Sequence, residues 1–210
     1  MLNHWSHGRL AEMNKKGIFI VIEGLDGSGK TTQAKILAQK LSKSHNAVFT
    51  AEPSNGKIGT FIRKKILYGE SRSPISVEAL LFAADRIDHI QKEVQPALDE
   101  GKLVISDRYF YSSLAYQGSA GLDLQWIETI NQLALKPDLA LFIDVPPDVV
   151  LERLRRRKSV MEKLETQRNV YHIYKKFIEK GELVRIDGDK PKNEVAKETL
   201  AVVTAFLKAR

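Results

Sequence analysis

The segment Gly24-Leu25-Asp26-Gly27-Ser28-Gly29-Lys30-Thr31 constrains this chain more than any other. It matches G-x-x-x-x-G-K-[ST] in full and stands between a β-branched apolar run and a helical pattern. Ile18 to Ile22 reads as a fully buried strand ended by Gly24. Ala34, Leu37, Ala38 and Leu41 fall at i, i+3, i+4 and i+7 and predict a helix from about Lys30 to Ser42. Glycines in such a loop let successive backbone N–H groups turn inward around phosphate oxygens, and the amino terminus of the next helix adds its dipole. Lys30 is expected to reach the β- and γ-phosphates of a nucleoside triphosphate, and the Thr31 hydroxyl to ligate Mg2+. The chain has no N-K-x-D base-reading tetrapeptide, which argues against a GTPase, and at 210 residues it is short for a motor or transporter. A small kinase is the leading expectation.

The rest of the chain alternates short apolar runs with helix-period stretches. Ala47–Thr50, Leu103–Ser106, Leu139–Ile143 and Leu183–Ile186 read as four further strands. Ile58, Phe61, Ile62 and Ile66 mark a helix between the first two of these. Val77, Leu80, Leu81, Ala84, Ile87, Val94 and Leu98 form one apolar stripe, read as the core face of a long helix stopped by Gly101. Other helices are expected around 112–117, 123–135, 148–180 and 192–208. Strands separated by helices require parallel pairing with right-handed crossovers, hence an α/β three-layer sandwich on a five-stranded parallel sheet. Ligands of such sheets bind beyond the carboxyl ends of the strands.

Composition narrows the function classes. The net charge of +7 is unevenly placed, because residues 151–180 hold ten Lys and Arg against four Asp and Glu. A nucleic-acid surface would spread that charge over a face, whereas here one segment carries six of the seven net charges and must meet something anionic or stay solvated. Zero cysteines exclude disulfides and thiolate metal sites and fit a cytoplasmic protein. No apolar run approaches the roughly 18 residues of a membrane span, and residues 1–16 hold no signal-peptide core. Those residues read as a loose tail whose His4 and His7, with no carboxylate beside them, are solvated rather than a metal pair. Residues 17–210 read as one domain.

Two segments carry the acceptor side. Phe82, Asp85, Arg86 and His89 share a second face of the long helix, so an aromatic plate and a guanidinium sit one turn apart. That suits a nucleobase, stacked on Phe82 and hydrogen-bonded to Arg86. The same spacing also fits a Phe packed on a neighbouring helix with Asp85 and Arg86 as surface charge. Asp107-Arg108 follows the strand Leu103–Ser106, where a carboxylate can hold Mg2+ or orient an acceptor and Arg108 can clamp an acceptor phosphate, although Asp-Arg is also a common surface pair.

Taken together, Gly24 to Thr32, Glu52-Pro53, Phe82-Ala83-Ala84-Asp85-Arg86, Asp107-Arg108-Tyr109 with Ser112-Ser113 and Ala115-Tyr116-Gln117, and Asp144-Val145-Pro146-Pro147 closely resemble the thymidylate kinase family, in order and with spacing kept from about Gly17 onward. The resemblance implies a P-loop nucleoside monophosphate kinase fold that transfers the ATP γ-phosphoryl group to dTMP with Mg2+, usually as a homodimer, with neither nucleic acid nor membrane as partner. It implies that Gly24, Leu25, Asp26, Gly27, Ser28, Gly29, Lys30, Thr31 and Thr32 bind ATP, that Phe82 stacks on thymine and that Arg86 donates to its exocyclic oxygen. By the same resemblance Arg108 clamps the dTMP phosphate, Asp26 lies near the sugar hydroxyl and that phosphate, Tyr116 crowds the sugar 2′ position, and Ser113 and Gln117 flank the base. Asp107 and Glu52 are expected near the metal. Two departures stand out. Many members have Arg before the Glu-Pro pair, where this chain has Ala51, so either Arg108 and a neighbour such as Lys57 or Arg63 suffice, or acceptor binding is weaker than usual. Some members carry an Arg inside the phosphate loop, where this chain has Ser28 and Gly29. The catalytic Arg is therefore expected from a lid around 151–165, with Arg155, Arg156 and Arg157 as candidates. Another nucleoside monophosphate kinase, a deoxynucleoside kinase and a non-catalytic ATP-dependent module are the alternatives.

Overall fold

A computed structural model describes residues 16–67, 73–156 and 164–210. The expected tail lies almost wholly outside these residues, as do Arg157 and the middle of the expected lid. The side chains of Arg155 and Arg156 are likewise not described.

Five strands form one sheet: β1 (Ile18–Glu23), β2 (Ala47–Ala51), β3 (Leu103–Asp107), β4 (Leu139–Asp144) and β5 (Val184–Asp187). Their order is β2-β3-β1-β4-β5 and every pairing is parallel, as the alternating pattern requires. The inner strands are buried on both faces, which is why Ile20, Val21, Ile22, Val104, Ile105, Leu141 and Ile143 read as unbroken apolar runs. Helices α1 (Lys30–His45) and α9 (Lys192–Lys208) pack together on one side. On the other, α5 (Phe110–Ser119) sits among α3 (Ile75–His89), α6 (Leu124–Ile130) and α8 (Leu164–Glu179). The short α2 (Lys57–Phe61) precedes α3, and α7 (Pro147–Arg156) precedes α8. No helix among the described residues is long and apolar enough to cross a membrane.

The register brings the carboxyl ends of the strands to one edge, with Ile22 and Ala51 both level with Asp107 and with Asp144 level with Asp187. Four of the five strands end on a carboxylate: Glu23, Asp107, Asp144 and Asp187. β1 lies between β3 and β4, so the chain leaves it at the point where successive crossovers run to opposite sides, the crevice where open α/β sheets bind ligands.

The structure corrects several sequence expectations. The helix expected over 123–135 stops at Ile130, because Asn131 folds its amide back to the Ile127 carbonyl (2.8 Å) and sends its oxygen to Arg86. The stretch expected as one helix over 148–180 comprises two, α7 and α8, on either side of residues outside the description. The long helix of residues 75–99 does run on through a wide-turned segment, Ile90–Val94, into α4 (Gln95–Asp99). Pro96 lies in the first turn of α4, where a prolyl ring crowds the preceding turn and a wider turn relieves it. The largest correction concerns the apolar stripe of α3. Val77 and Leu80 are 42% and 50% exposed and Ala84 is exposed, while Glu78, Asp85, Arg86 and His89 are buried. Val77, Leu80 and Ala84 of the expected core face thus look outward, Leu81, Ile87 and Leu98 are half-buried, Val94 is buried as expected, and the polar face looks in.

Candidate active site

The phosphate loop joins β1 to α1 and departs from ordinary backbone where its glycines stand. Gly29 has φ 95 at the start of α1, and a Cβ on Gly24 would lie 2.5 Å from Ser28 Oγ. Lys30 is buried, with Nζ 3.3 Å from the Leu25 carbonyl and 3.2 Å from Asp26 Oδ1. Burial and the neighbouring Arg108 pull its pKa below the ordinary lysine value, while Asp26 and Asp107 oppose them. The Thr31 hydroxyl donates to Asp107 Oδ2 across the gap between α1 and β3. Asp107 Oδ1 is buried with no partner.

That orphaned oxygen tests whether Mg2+ suits the site. Mg2+ is commonly held by one or two protein oxygens plus phosphates and waters, so a hydroxyl and a carboxylate with a spare oxygen fit it. No cluster of three or more His, Cys, Asp or Glu side chains among the described residues offers a self-sufficient metal cage.

Beside the loop lies a cavity of about 420 Å³. Asp26, Glu52, Phe82, Arg86, Arg108, Ser113, Tyr116 and Gln117, the whole acceptor-side set named from the sequence, line it. Neither the surface-charge reading of Asp85-Arg86 nor that of Asp107-Arg108 describes these residues. Asp85 accepts from Ser54 N (2.7 Å) and Ser54 Oγ (2.6 Å), which fastens the loop after β2. Arg86 is fully enclosed. Its Nε and Nη2 donate to Glu52 Oε2 at 2.9 and 2.7 Å, and Nη1 donates to Asn131 Oδ1 and to Ser113 Oγ. Glu52 Oε1 lies 3.4 Å from His89 Nδ1, so both carboxylate oxygens face Arg86 and His89.

Arg108 occupies the left-handed region at φ 72, which costs a non-glycine residue about 1–2 kcal/mol. Its backbone is tied on both sides: its N–H donates to the Ile22 carbonyl (3.0 Å), and its carbonyl accepts from Ser106 Oγ (2.8 Å). The guanidinium donates through Nη2 to Asp26 Oδ1 and through Nη1 to Ser112 Oγ (2.8 Å), and lies 5.0 Å above the Tyr116 ring. Tyr116 Oη donates to Asp26 Oδ2 and accepts from Asp26 N–H, each at 3.2 Å. Burial alone would raise the Asp26 pKa, but Arg108 and Lys30 hold its carboxyl well below the usual carboxylate range. Asp26 thus joins the phosphate-loop lysine to the acceptor-side arginine.

Gln117 is buried at the cavity with Oε1 unpartnered. Neither Lys57 nor Arg63 lines the cavity, and Arg63 instead donates to the Pro53 carbonyl at 2.5 Å. The position left by Ala51 therefore has no substitute cation there among the described residues. Several contributors escaped the sequence reading: Thr166 and Asn169 of α8, Leu67 and Ile75 on the cavity wall, Asn131 behind Arg86, and Glu23 with Tyr174 beneath Arg108. Only Glu23 left a signal, as the lone charge in an apolar strand next to the phosphate loop. Burial pushes the Glu23 carboxyl up, against Ser112, Arg108, Tyr174 and the Tyr109 N–H.

A phosphate loop at the sheet's switch point, joined through one carboxylate to a cavity that presents an arginine and an aromatic ring, defines a P-loop phosphotransferase with a nucleotide-sized acceptor site. Residues 22–199 match the family model described as thymidylate kinase. A probable thymidylate kinase of Pyrococcus horikoshii is 48% identical over 78% of this chain and 84% of its own length. One of Thermococcus gammatolerans is 46% identical over 81% and 87%, and one of Pyrobaculum aerophilum 43% identical over 88% and 95%. The chain belongs to the thymidylate kinase family.

Proposed function

We propose that this chain transfers the γ-phosphoryl group of ATP to dTMP, giving dTDP and ADP. The observation that carries the reading is the cavity in which the Asp26–Arg108 pair links the phosphate loop to Phe82, Arg86 and Tyr116. The experiment is a steady-state screen of nucleoside monophosphates and thymidine with Mg-ATP. Turnover of dTMP above all others supports the reading. Faster turnover of thymidine would favour a deoxynucleoside kinase, for which Arg108 would have no acceptor phosphate to bind.

Phosphoryl transfer asks a protein mainly for positioning and charge neutralisation. ATP lies with its phosphates over residues 24–32, its β- and γ-oxygens facing Lys30. The dTMP base stacks on Phe82, within reach of Arg86, Ser113 and Gln117, and its phosphate faces Arg108. Asp26 orients both Arg108 and Lys30 at the join. Mg2+, when bound, would be held by Thr31 and Asp107 and would neutralise phosphate charge. Glu52 holds Arg86 through Oε2, with Oε1 3.4 Å from His89 Nδ1. Following the family resemblance, Arg155, Arg156 and Arg157 of a lid over 151–165 add positive charge at the transferring group. The enzyme acts in the cytoplasm, where ATP is made available.

Tyr116 polices the sugar. Its hydroxyl is held at Asp26 and its ring lies under Arg108, and by the family resemblance it crowds the sugar 2′ position. Tyr116→Ala is expected to narrow the kcat/KM ratio between dTMP and UMP by about tenfold. An unchanged ratio removes this role.

The outward face of α3 supports a homodimer. Val77, Leu80 and Ala84 are exposed at helical spacing, with Phe61 49% exposed as well. A second copy of this chain burying that face accounts for a core-like stripe on the surface. Sedimentation velocity should show a dimer for the wild type and a monomer for Leu80→Glu, since a charge at a desolvated contact costs more than the leucine contributed. A wild-type monomer rules the dimer out.

A further inference from the structure

Glu23 ends β1 one residue before the phosphate loop and is completely buried. A carboxylate in that position is costly unless its lone pairs are filled. Oε1 accepts from Tyr109 N (2.8 Å) and Ser112 N (3.3 Å), and Oε2 accepts from Ser112 Oγ (2.6 Å) and Tyr174 Oη (2.9 Å). A carboxylate offers about four acceptor positions, and these four donors use them.

Ser112 has one hydroxyl proton. Glu23 Oε2 at 2.6 Å is a nearer and stronger acceptor for it than Tyr174 Oη at 3.1 Å, whose own proton also goes to Glu23, so the lone pairs of Ser112 Oγ face Arg108 Nη1 at 2.8 Å. The carboxylate thereby decides which way the hydroxyl dipole points, and the hydroxyl fixes one edge of the guanidinium while Asp26 holds the other. Arg108 depends on such bracing, since its backbone conformation is one that an arginine does not adopt by preference. Tyr174 adds a tie to α8, whose Thr166 and Asn169 share the cavity wall with Arg108.

We propose that Glu23 is a positioning residue for the acceptor phosphate, setting the orientation of Arg108 through Ser112 and linking it to α8 through Tyr174. The proposal rests on the reading that Arg108 binds the phosphate of dTMP. It predicts a selective defect. In Glu23→Gln an amide N–H replaces one acceptor oxygen and competes with the Ser112 and Tyr174 hydroxyls.

The test compares KM for dTMP, KM for ATP and the inhibition constant of thymidine, which fills the base site without a phosphate. Glu23→Gln is expected to raise KM for dTMP about tenfold, with ATP and thymidine changed by less than about twofold. Ser112→Ala should show the same selectivity, and the double variant should be no worse than Glu23→Gln alone. Tyr174→Phe should shift KM for dTMP in the same direction by less. A merely structural role would weaken thymidine and dTMP together, and that result, or an unchanged KM for dTMP, overturns the proposal. If Glu23→Gln does not fold, Ser112→Ala and Tyr174→Phe carry the test. If the wild type phosphorylates a different nucleoside monophosphate, the substrate reading fails on its own, and the comparison is repeated with that monophosphate and its nucleoside.

Discussion

Lys30→Ala is expected to lower kcat by roughly a hundredfold to a thousandfold, the usual cost of removing one preorganised charge donor from a transferring group. Lys30 has little structural duty to lose. It is an almost fully buried cation whose contacts are one carbonyl and one oxygen of Asp26, and Arg108 remains to pair with Asp26 when the lysine is gone. Burial of an ammonium opposes folding, so the melting temperature should stay within a few degrees of the wild type or rise. The decisive measurement is single-turnover phosphorylation of dTMP at saturating Mg-ATP. A variant that retains the wild-type rate would remove Lys30 from the chemistry.

The second large effect is at Arg108. Arg108→Ala should raise KM for dTMP by about a hundredfold, because a charge-assisted, two-pronged contact to phosphate is lost from a partly desolvated cavity. Arg108→Lys should recover little. One ammonium cannot face Ser112 and Asp26 simultaneously in the geometry that the planar guanidinium spans. The positive φ adds a control. Arg108→Gly and Arg108→Ala both lack the side chain, but glycine tolerates φ 72, so the glycine variant should be the more stable by about 1 kcal/mol in denaturant unfolding. Equal stability would mean that the loop relaxes out of the left-handed conformation once the guanidinium is absent. An active site that keeps a strained arginine where glycine would be more comfortable trades stability for a fixed cation.

How much of this was legible in the sequence depended on the range of the interactions concerned. The phosphate loop, its strand and its helix are local, and both periodicity and glycine placement specify them. The acceptor residues could be named because their order and spacing resemble a family's, yet their spacing alone left surface alternatives open. Folding closed those alternatives by bringing Glu52, Ser113 and Asn131 to Arg86 from three different segments. The stripe on α3 went the other way. Its helical spacing marks one face, but periodicity reports only that a face is apolar, not what covers it. The inner side of α3 is filled by Asp85, Arg86 and His89, each satisfied by partners distant in sequence, which leaves Val77, Leu80 and Ala84 outward.

The sequence by itself determined a parallel α/β kinase fold and a phosphate-binding loop, because strand burial, helix period and glycine backbone freedom act within a few residues. Only the tertiary structure decided that Asp26 lies between Lys30 and Arg108, that Glu52 pairs with Arg86, and that Glu23 accepts from Ser112 beside Arg108. Those assignments depend on which donors reach which carboxylates, and hydrogen bonds across 34, 82, 89 and 151 residues leave no periodic trace in the chain.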